Sequence, residues 1–246
     1  MKINNASRIY YLLVMLSLPV TGQGAVNWYD NSISLLYGDE YEVGDNEKTV
    51  VTFEHRSDHD WGDLFIFVDR YHHLNDDKHE VYGEVSPNLS ITKLAQPEHS
   101  KNSLIKEIYL AGTWEHSSGQ VGFDNFLLGA GIKFNLPGFK FFKLTYYRRH
   151  NKLYRDNNQI SVAWALPFKI GAQAFLYDGF IDAVDSTTTT TAGFNFTSQL
   201  KWDIGRQLDI EKDKLFIGIE YVYWINKFGI QGVDEKNPNL IIKWHF

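Results

Sequence analysis

Nine histidines, thirty acidic residues and no cysteine bound the chemistry open to this 246-residue chain. Without sulfur there is no disulfide scaffold, thiolate metal site or cysteine nucleophile. A zinc hydrolase wants His-x-x-x-His with a glutamate on one helix face, and no histidine pair here has that setting. His55 and His59 are four apart, but across a strand end and a turn that spacing defines no common face. His72-His73-Leu74-Asn75-Asp76-Asp77 reads as a solvated loop. No Gly-x-Ser-x-Gly elbow is present, and Ser117-Ser118-Gly119 lacks the strand-turn-helix context such a nucleophile needs. Gly129-x-Gly131 is a strand with small residues, and Thr187 to Thr191 is a polar surface run. No catalytic residue, metal or cofactor is therefore expected. A serine hydrolase would need a Ser/His set gathered near one rim from distant strands.

The elements that would carry any site are more informative. Lys2 and Arg8 precede a mostly apolar run from Ile9 to Val20, and small residues follow at 21–25. That order is a secretory signal peptide, too short to span a bilayer as a helix. Residues 1–24 are read as the signal and 25–246 as one domain. Loss of Lys2 and Arg8 leaves 22 basic against 30 acidic residues, a net charge of −8. An acidic product excludes a general nucleic-acid binder, which needs a basic face. Mean hydropathy is −0.32, yet 17 Phe, 14 Tyr and 7 Trp supply far more burial than a disordered chain tolerates.

After the signal the period is two. Phe194, Phe196, Leu200, Trp202 and Ile204 share one face, against Asn195, Thr197, Gln199, Lys201 and Asp203. Leu215 to Ile225 and Gln159 to Leu166 split the same way. Such segments lie near 31–37, 47–57, 61–71, 79–93, 104–116, 122–134, 139–149, 158–166, 169–181, 192–204, 214–226 and 238–246. They are longer than the usual strand of about 5–6 residues in soluble sheets, and they match the 9–11 of a tilted strand crossing a bilayer. Short or Pro/Gly-marked turns fall at 58–60, 135–138 and Pro167, and longer polar loops at 38–46, 72–78, 150–157, 182–191 and 227–237. Leu240, Ile242, Trp244 and Phe246 alternate up to the last residue, with Ile241 the exception. A hydrophobic last strand suits a sheet that closes on its first strand; in a soluble sheet it would be an exposed edge.

The fold class expected is all-β, a closed antiparallel transmembrane β-barrel of about 12 strands in the cell outer membrane. Lipid offers no hydrogen-bond partner, so a sheet that spans it must close. Trp114, Trp164, Trp202, Tyr221, Tyr223 and Trp244 are candidates for interfacial girdles. The opposite face would line a lumen. Alternation puts there Thr52, Glu54, Arg56; Asp63, Phe65, Phe67, Asp69; Glu107, Tyr109, Thr113, Glu115; and Lys143, Thr145, Tyr147, Arg149. It adds Gln173, Phe175, Tyr177; the polar face of 195–203; and Glu220 with Trp224. A twelve-stranded bore lies between a filled eight-stranded barrel and a wide porin, which suits one small organic molecule. Inward rings could stack a heterocycle while Asp63, Glu107 and Arg149 engage hydroxyls, with Phe65 and Tyr109 as the stacking pair.

Several segments resemble the nucleoside-specific channel-forming outer-membrane proteins, the Tsx-like or OmpK-like porins. They are Trp28-Tyr29-x-x-Ser32, Asp60-Trp61-Gly62-Asp63-Leu64-Phe65 with Val68-Asp69, Glu84-x-x-Pro87-x-Leu89-Ser90-Ile91-x-Lys93-Leu94, Lys106-Glu107-x-Tyr109, Tyr177-x-Gly179-Phe180-x-Asp182 and the final strand. The likeness is strongest over residues 28–115. It implies a monomeric twelve-stranded barrel with a narrow pore passing nucleosides passively, outer-membrane lipid around it, and long loops that serve phages or colicins. It also implies that Asp63, Phe65, Asp69, Glu107 and Tyr109 are lumen residues; Phe67, Lys143, Tyr147, Arg149, Phe175, Tyr177 and Glu220 come from alternation. The reading is thus a diffusion channel for small solutes, nucleosides first, and not an enzyme. The alternatives are a barrel enzyme of the lipase or protease type and a non-conducting receptor or adhesin barrel.

Overall fold

A computed structural model describes residues 25–95, 103–119 and 122–246; the expected signal segment lies outside them. Twelve strands follow one another: β1 (Val26–Gly38), β2 (Lys48–His59), β3 (Gly62–His73), β4 (His79–Ser90), β5 (Ile105–Ser117), β6 (Phe123–Phe134), β7 (Phe141–His150), β8 (Asn157–Ile170), β9 (Gln173–Val184), β10 (Gly193–Asp203), β11 (Leu215–Ile225) and β12 (Glu235–His245). A five-residue helix, α1 (Ile91–Ala95), follows β4. Each strand pairs antiparallel with its sequence neighbours, and β1 pairs with β12 to close the barrel. No helix among the described residues is long and apolar enough to cross a membrane.

Several boundaries differ from the sequence reading: residues 91–93, expected in a strand, belong to α1, and β12 begins at Glu235 where 238 was expected. Pro167, expected in a turn, lies inside β8, and the chain reverses at Gly171, whose φ of 59° is the left-handed region glycine tolerates. The proline is accommodated because β8 pairs with β7 only as far as Ala165, so its missing N–H is not needed on that side. Strand β1 also starts at Val26, five residues before the expected 31.

The barrel is inverted relative to a soluble protein. Lys201 and Asn239 are each 1% exposed, while Leu128 is 71% and Leu240 64% exposed. Charged and amide side chains fill the interior, and Leu, Ile and aromatic residues form the outer band that lipid covers. The girdle candidates Trp114, Trp164, Trp202, Tyr221, Tyr223 and Trp244 all take outward positions in the registers. At the seam, Ser34 lies opposite Lys243 and Leu36 opposite Ile241. Ile241, which broke the alternation, faces inward and packs with Leu36 and Val50. Lys243 then reaches Glu54 at 2.7 Å and His245 Nδ1 lies 2.8 Å from Asp30 Oδ2, so an ion pair and a hydrogen bond brace the closing strands from within.

Candidate functional site: the barrel interior

The inward face of each strand is fixed by the cross-strand registers. Asp63 sits opposite Asn88, Phe65 opposite Arg56 and Ser86, Phe67 opposite Glu54 and Glu84, and Asp69 opposite Thr52 and Tyr82. The four β3 residues expected in the lumen therefore point into the barrel. Lys133 of β6 donates to Asp63 at 2.5 Å and to Glu107 at 2.8 Å, and Asn88 donates to Asp63 at 2.7 Å. Lys143 stands beside Lys133 on β7. Further along, Arg149 grips Glu115 with both guanidinium nitrogens, at 3.0 and 2.7 Å, and also bonds Gln159. Lys201 pairs with Asp178 at 2.8 Å. These pairs and their hydrogen bonds satisfy charges that would otherwise be costly in a partly dry interior.

Four inward carboxylates meet neutral donors instead. Asp69 accepts from Thr52 at 2.6 Å and Tyr71 at 3.2 Å. Glu84 accepts from Tyr82 at 2.5 Å. Asp182 accepts from Ser161 and Gln159. Glu220 accepts from Gln199 at 2.7 Å and Asn239 at 3.1 Å. None of these four carboxylates has a lysine or arginine among its hydrogen-bond donors.

The predicted site residues separate into three groups. Phe65, Phe67, Asp69, Lys143 and Glu220 are inward and partly exposed, and Asp63 is partly exposed within its ion-pair cluster. Glu107, Tyr109 and Tyr147 are inward but buried in the wall. Tyr109 is 0% exposed, its hydroxyl bonded to Thr145 at 2.7 Å and its ring lying where a side chain on Gly131 would stand. It cannot stack a solute, and Arg149 is committed to Glu115 and Gln159. Phe175 and Tyr177 were placed on the wrong face. Tyr177 lies opposite Leu200 and Phe175 opposite Trp202, both outward residues. Phe175 stacks on Phe168 and Tyr177 meets Trp164 in an aromatic ridge on the lipid side. The inward residues of β9 are Leu176, Asp178, Phe180 and Asp182, opposite Lys201, Gln199, Thr197 and Asn195.

Phe180 gains a place that alternation did not give it, and Arg56, expected in the lumen, reaches across it. Phe180 is the exposed inward ring of β9, flanked by Ala163 and Thr197. Its signal was the pair of acids at 178 and 182, two residues to either side. Arg56 crosses the bore: its guanidinium lies 5.0 Å from the Phe65 ring and 5.8 Å from the Phe141 ring, on a strand five places away. At the loop-bearing rim, the segment between β1 and β2 folds into the mouth. Tyr41 lies under Lys48, whose Nζ is 4.8 Å from its ring, and the Glu42 amide donates to Glu235 at 3.0 Å.

The outer face near the opposite rim carries an unexpected cluster. His55 and His59 do share a face, because β2 runs unbroken to His59. Ser57 Oγ lies 3.0 Å from His55 Nε2 and 2.9 Å from His59 Nε2, and His55 Nδ1 lies 2.8 Å from Asn31 Oδ1. Ser57 itself is 3% exposed.

An even-stranded closed barrel, apolar outside and charged within, defines an outer-membrane channel for small solutes. Residues 26–240 match the family described as nucleoside-specific channel-forming protein, Tsx. The chain belongs to that family. No curated protein sequence matches it. Among solved structures it resembles the KdgM porin, with a TM-score of 0.52 at 9% identity over 88% of this chain and 99% of that one. A second KdgM structure, in complex with disordered oligogalacturonate, gives the same figures. The NanC porin gives 0.50 at 10% identity, over 88% and 99%. At these identities the likeness is one of fold.

Lys133 is the hub of the charged wall. Lys133→Met leaves Glu107, 4% exposed, and Asp63 without their cation. Breaking such a pair costs about 3–5 kcal/mol, so the variant should unfold at clearly lower urea in detergent micelles. A midpoint equal to that of the wild type would show the cluster to be dispensable.

Proposed function

We propose that the bore passes nucleosides and similar uncharged heterocyclic solutes down their gradient, without a covalent step. The observation that carries this is the company of the exposed inward rings. Phe65 and Phe67 lie 5.7 Å apart, centroid to centroid, beside Arg56 and opposite Glu84. A base stacking on such a ring gains about 1–3 kcal/mol, while carboxylates held by neutral donors are free to accept from sugar hydroxyls. Binding this weak permits release, as conduction requires. Phe180 replaces Tyr109 as the second stacking surface. The barrel closes on itself, which supports a monomer, and its loops are the surface on which phage or colicin recognition would fall.

Liposome swelling tests the reading. Phe65→Ala with Phe67→Ala should remove the preference for adenosine over a sugar of equal size, a change of about 5- to 150-fold in affinity at most. Phe175→Ala and Tyr177→Ala should leave it untouched, because both rings face lipid. Equal rates for adenosine and the sugar in the wild type would overturn the proposal.

A second reading rests on Asn31, His55 and Ser57. With His55 Nδ1–H donating to Asn31, His55 Nε2 is left to accept the Ser57 proton, the arrangement of a nucleophilic serine and its base. That favours an acyl hydrolase on the membrane-facing side. The burial of Ser57 and its second imidazole neighbour, His59, favour a structural network instead. A fluorophosphonate probe decides: labelling of the wild type and not of Ser57→Ala supports the hydrolase, and an unlabelled wild type removes it.

A further inference from the structure

We infer that the loop-side mouth of the barrel binds a divalent transition-metal ion through His73, Asp45 and Asp76, tying the β1–β2 loop to the β3–β4 hairpin. The three side chains each place a ligand atom within 4.8 Å of the others. His73, the last residue of β3, is 2% exposed, yet neither ring nitrogen has a hydrogen-bond partner. A buried imidazole with both nitrogens idle is destabilising unless something satisfies it. Its nearest acceptors are Asp76 Oδ1, 3.4 Å from Nδ1, and Glu80 Oε2, 3.6 Å from Nε2. Those separations are long for hydrogen bonds. Two ligands of a tetrahedral ion with bonds of about 2.1 Å stand about 3.4 Å apart.

The surroundings suit an ion. An open cleft of about 710 Å³ lies here, lined by Gly44, Asp45, Asn46, Asn75, Asp76 and Lys78. Gly44, at φ 75°, carries the loop so close that a Cβ there would lie 3.0 Å from His73 Cε1. Asn75 fixes the Asp45 carboxylate with its backbone and side-chain N–H groups, at 2.6 and 2.7 Å. Lys78 Nζ donates to Asp76 Oδ2 at 2.5 Å and the Lys78 backbone N–H donates to Oδ1 at 3.2 Å, which fixes the carboxylate with Oδ1 turned to His73. One imidazole with two carboxylates suits zinc or a neighbouring transition ion rather than calcium, which takes oxygen ligands.

A rival cluster occupies the outer face of the same hairpin: His72, Asp77 and His79, also within 4.8 Å. There His72 Nε2 already has Asp77 at 3.1 Å, and the Asp77 side chain is 91% exposed. The experiment separates the two. Zinc is titrated into refolded barrel in detergent micelles by calorimetry, with folding checked by heat-modifiable gel mobility. One ion should bind the wild type and the His72→Ala, His79→Ala double variant alike. Affinity should fall at least about tenfold, or 1.4 kcal/mol, in both His73→Ala and the milder Asp45→Asn. Binding that survives in these two, binding that disappears with the His72/His79 pair, or a wild-type barrel that takes up no zinc overturns the assignment. None of these outcomes depends on which solute the bore passes.

Discussion

Every peptide group that crosses the hydrocarbon must find its partner inside the sheet, and the seam between β1 and β12 is where that condition is met. The rest of the molecule follows from it. Closure removes both sheet edges and divides the side chains of every strand into two sets, one toward lipid and one toward the axis. The same alternation that buries leucine in a soluble sheet here exposes it, and it buries Lys201, Lys243 and Asn239 instead. Ile241 shows the rule by its exception: with Leu36 and Val50 beside it, one apolar patch is tolerated inside the seam.

A closed interior dense with charge needs local pairing, and the wall supplies it unevenly. Lys133, Arg149 and Lys201 each anchor carboxylates, burying them with Tyr109 and Tyr147 as a rigid lining. Asp69, Glu84, Asp182 and Glu220 are left with hydroxyl and amide donors. That division separates scaffold from solute-contacting surface. Residues locked in ion pairs hold the shape, whereas those with neutral partners can exchange a hydrogen bond with a passing molecule at small cost. Arg56, reaching between Phe65 and Phe141, narrows the path at the level where rings and charge meet.

Strand number and the closing pair could be read from the sequence because period two is a local property, and β11 displays it along its whole length. Strand β9 defeated that reading. Both its faces carry large residues, so alternation alone did not separate Phe175 and Tyr177 from Leu176 and Phe180; the acids at 178 and 182 mark the inner side. Which inward residues would be buried was not legible either. Tyr109 is lost to the bore because Gly131 lies across the ladder from it, a partnership set by register and not by sequence distance. The triangle of Asn31, His55 and Ser57, and the meeting of Asp45 with His73, likewise join residues on separate strands or loops.

Single-channel recording in planar bilayers tests the central claim, that the closed seam encloses a water-filled path in which rings and carboxylates hold a heterocyclic solute briefly. Unitary current steps should appear on insertion, and adenosine should interrupt them reversibly where glucose does not. Insertion without current steps, or interruptions indifferent to the heterocycle, would contradict the account.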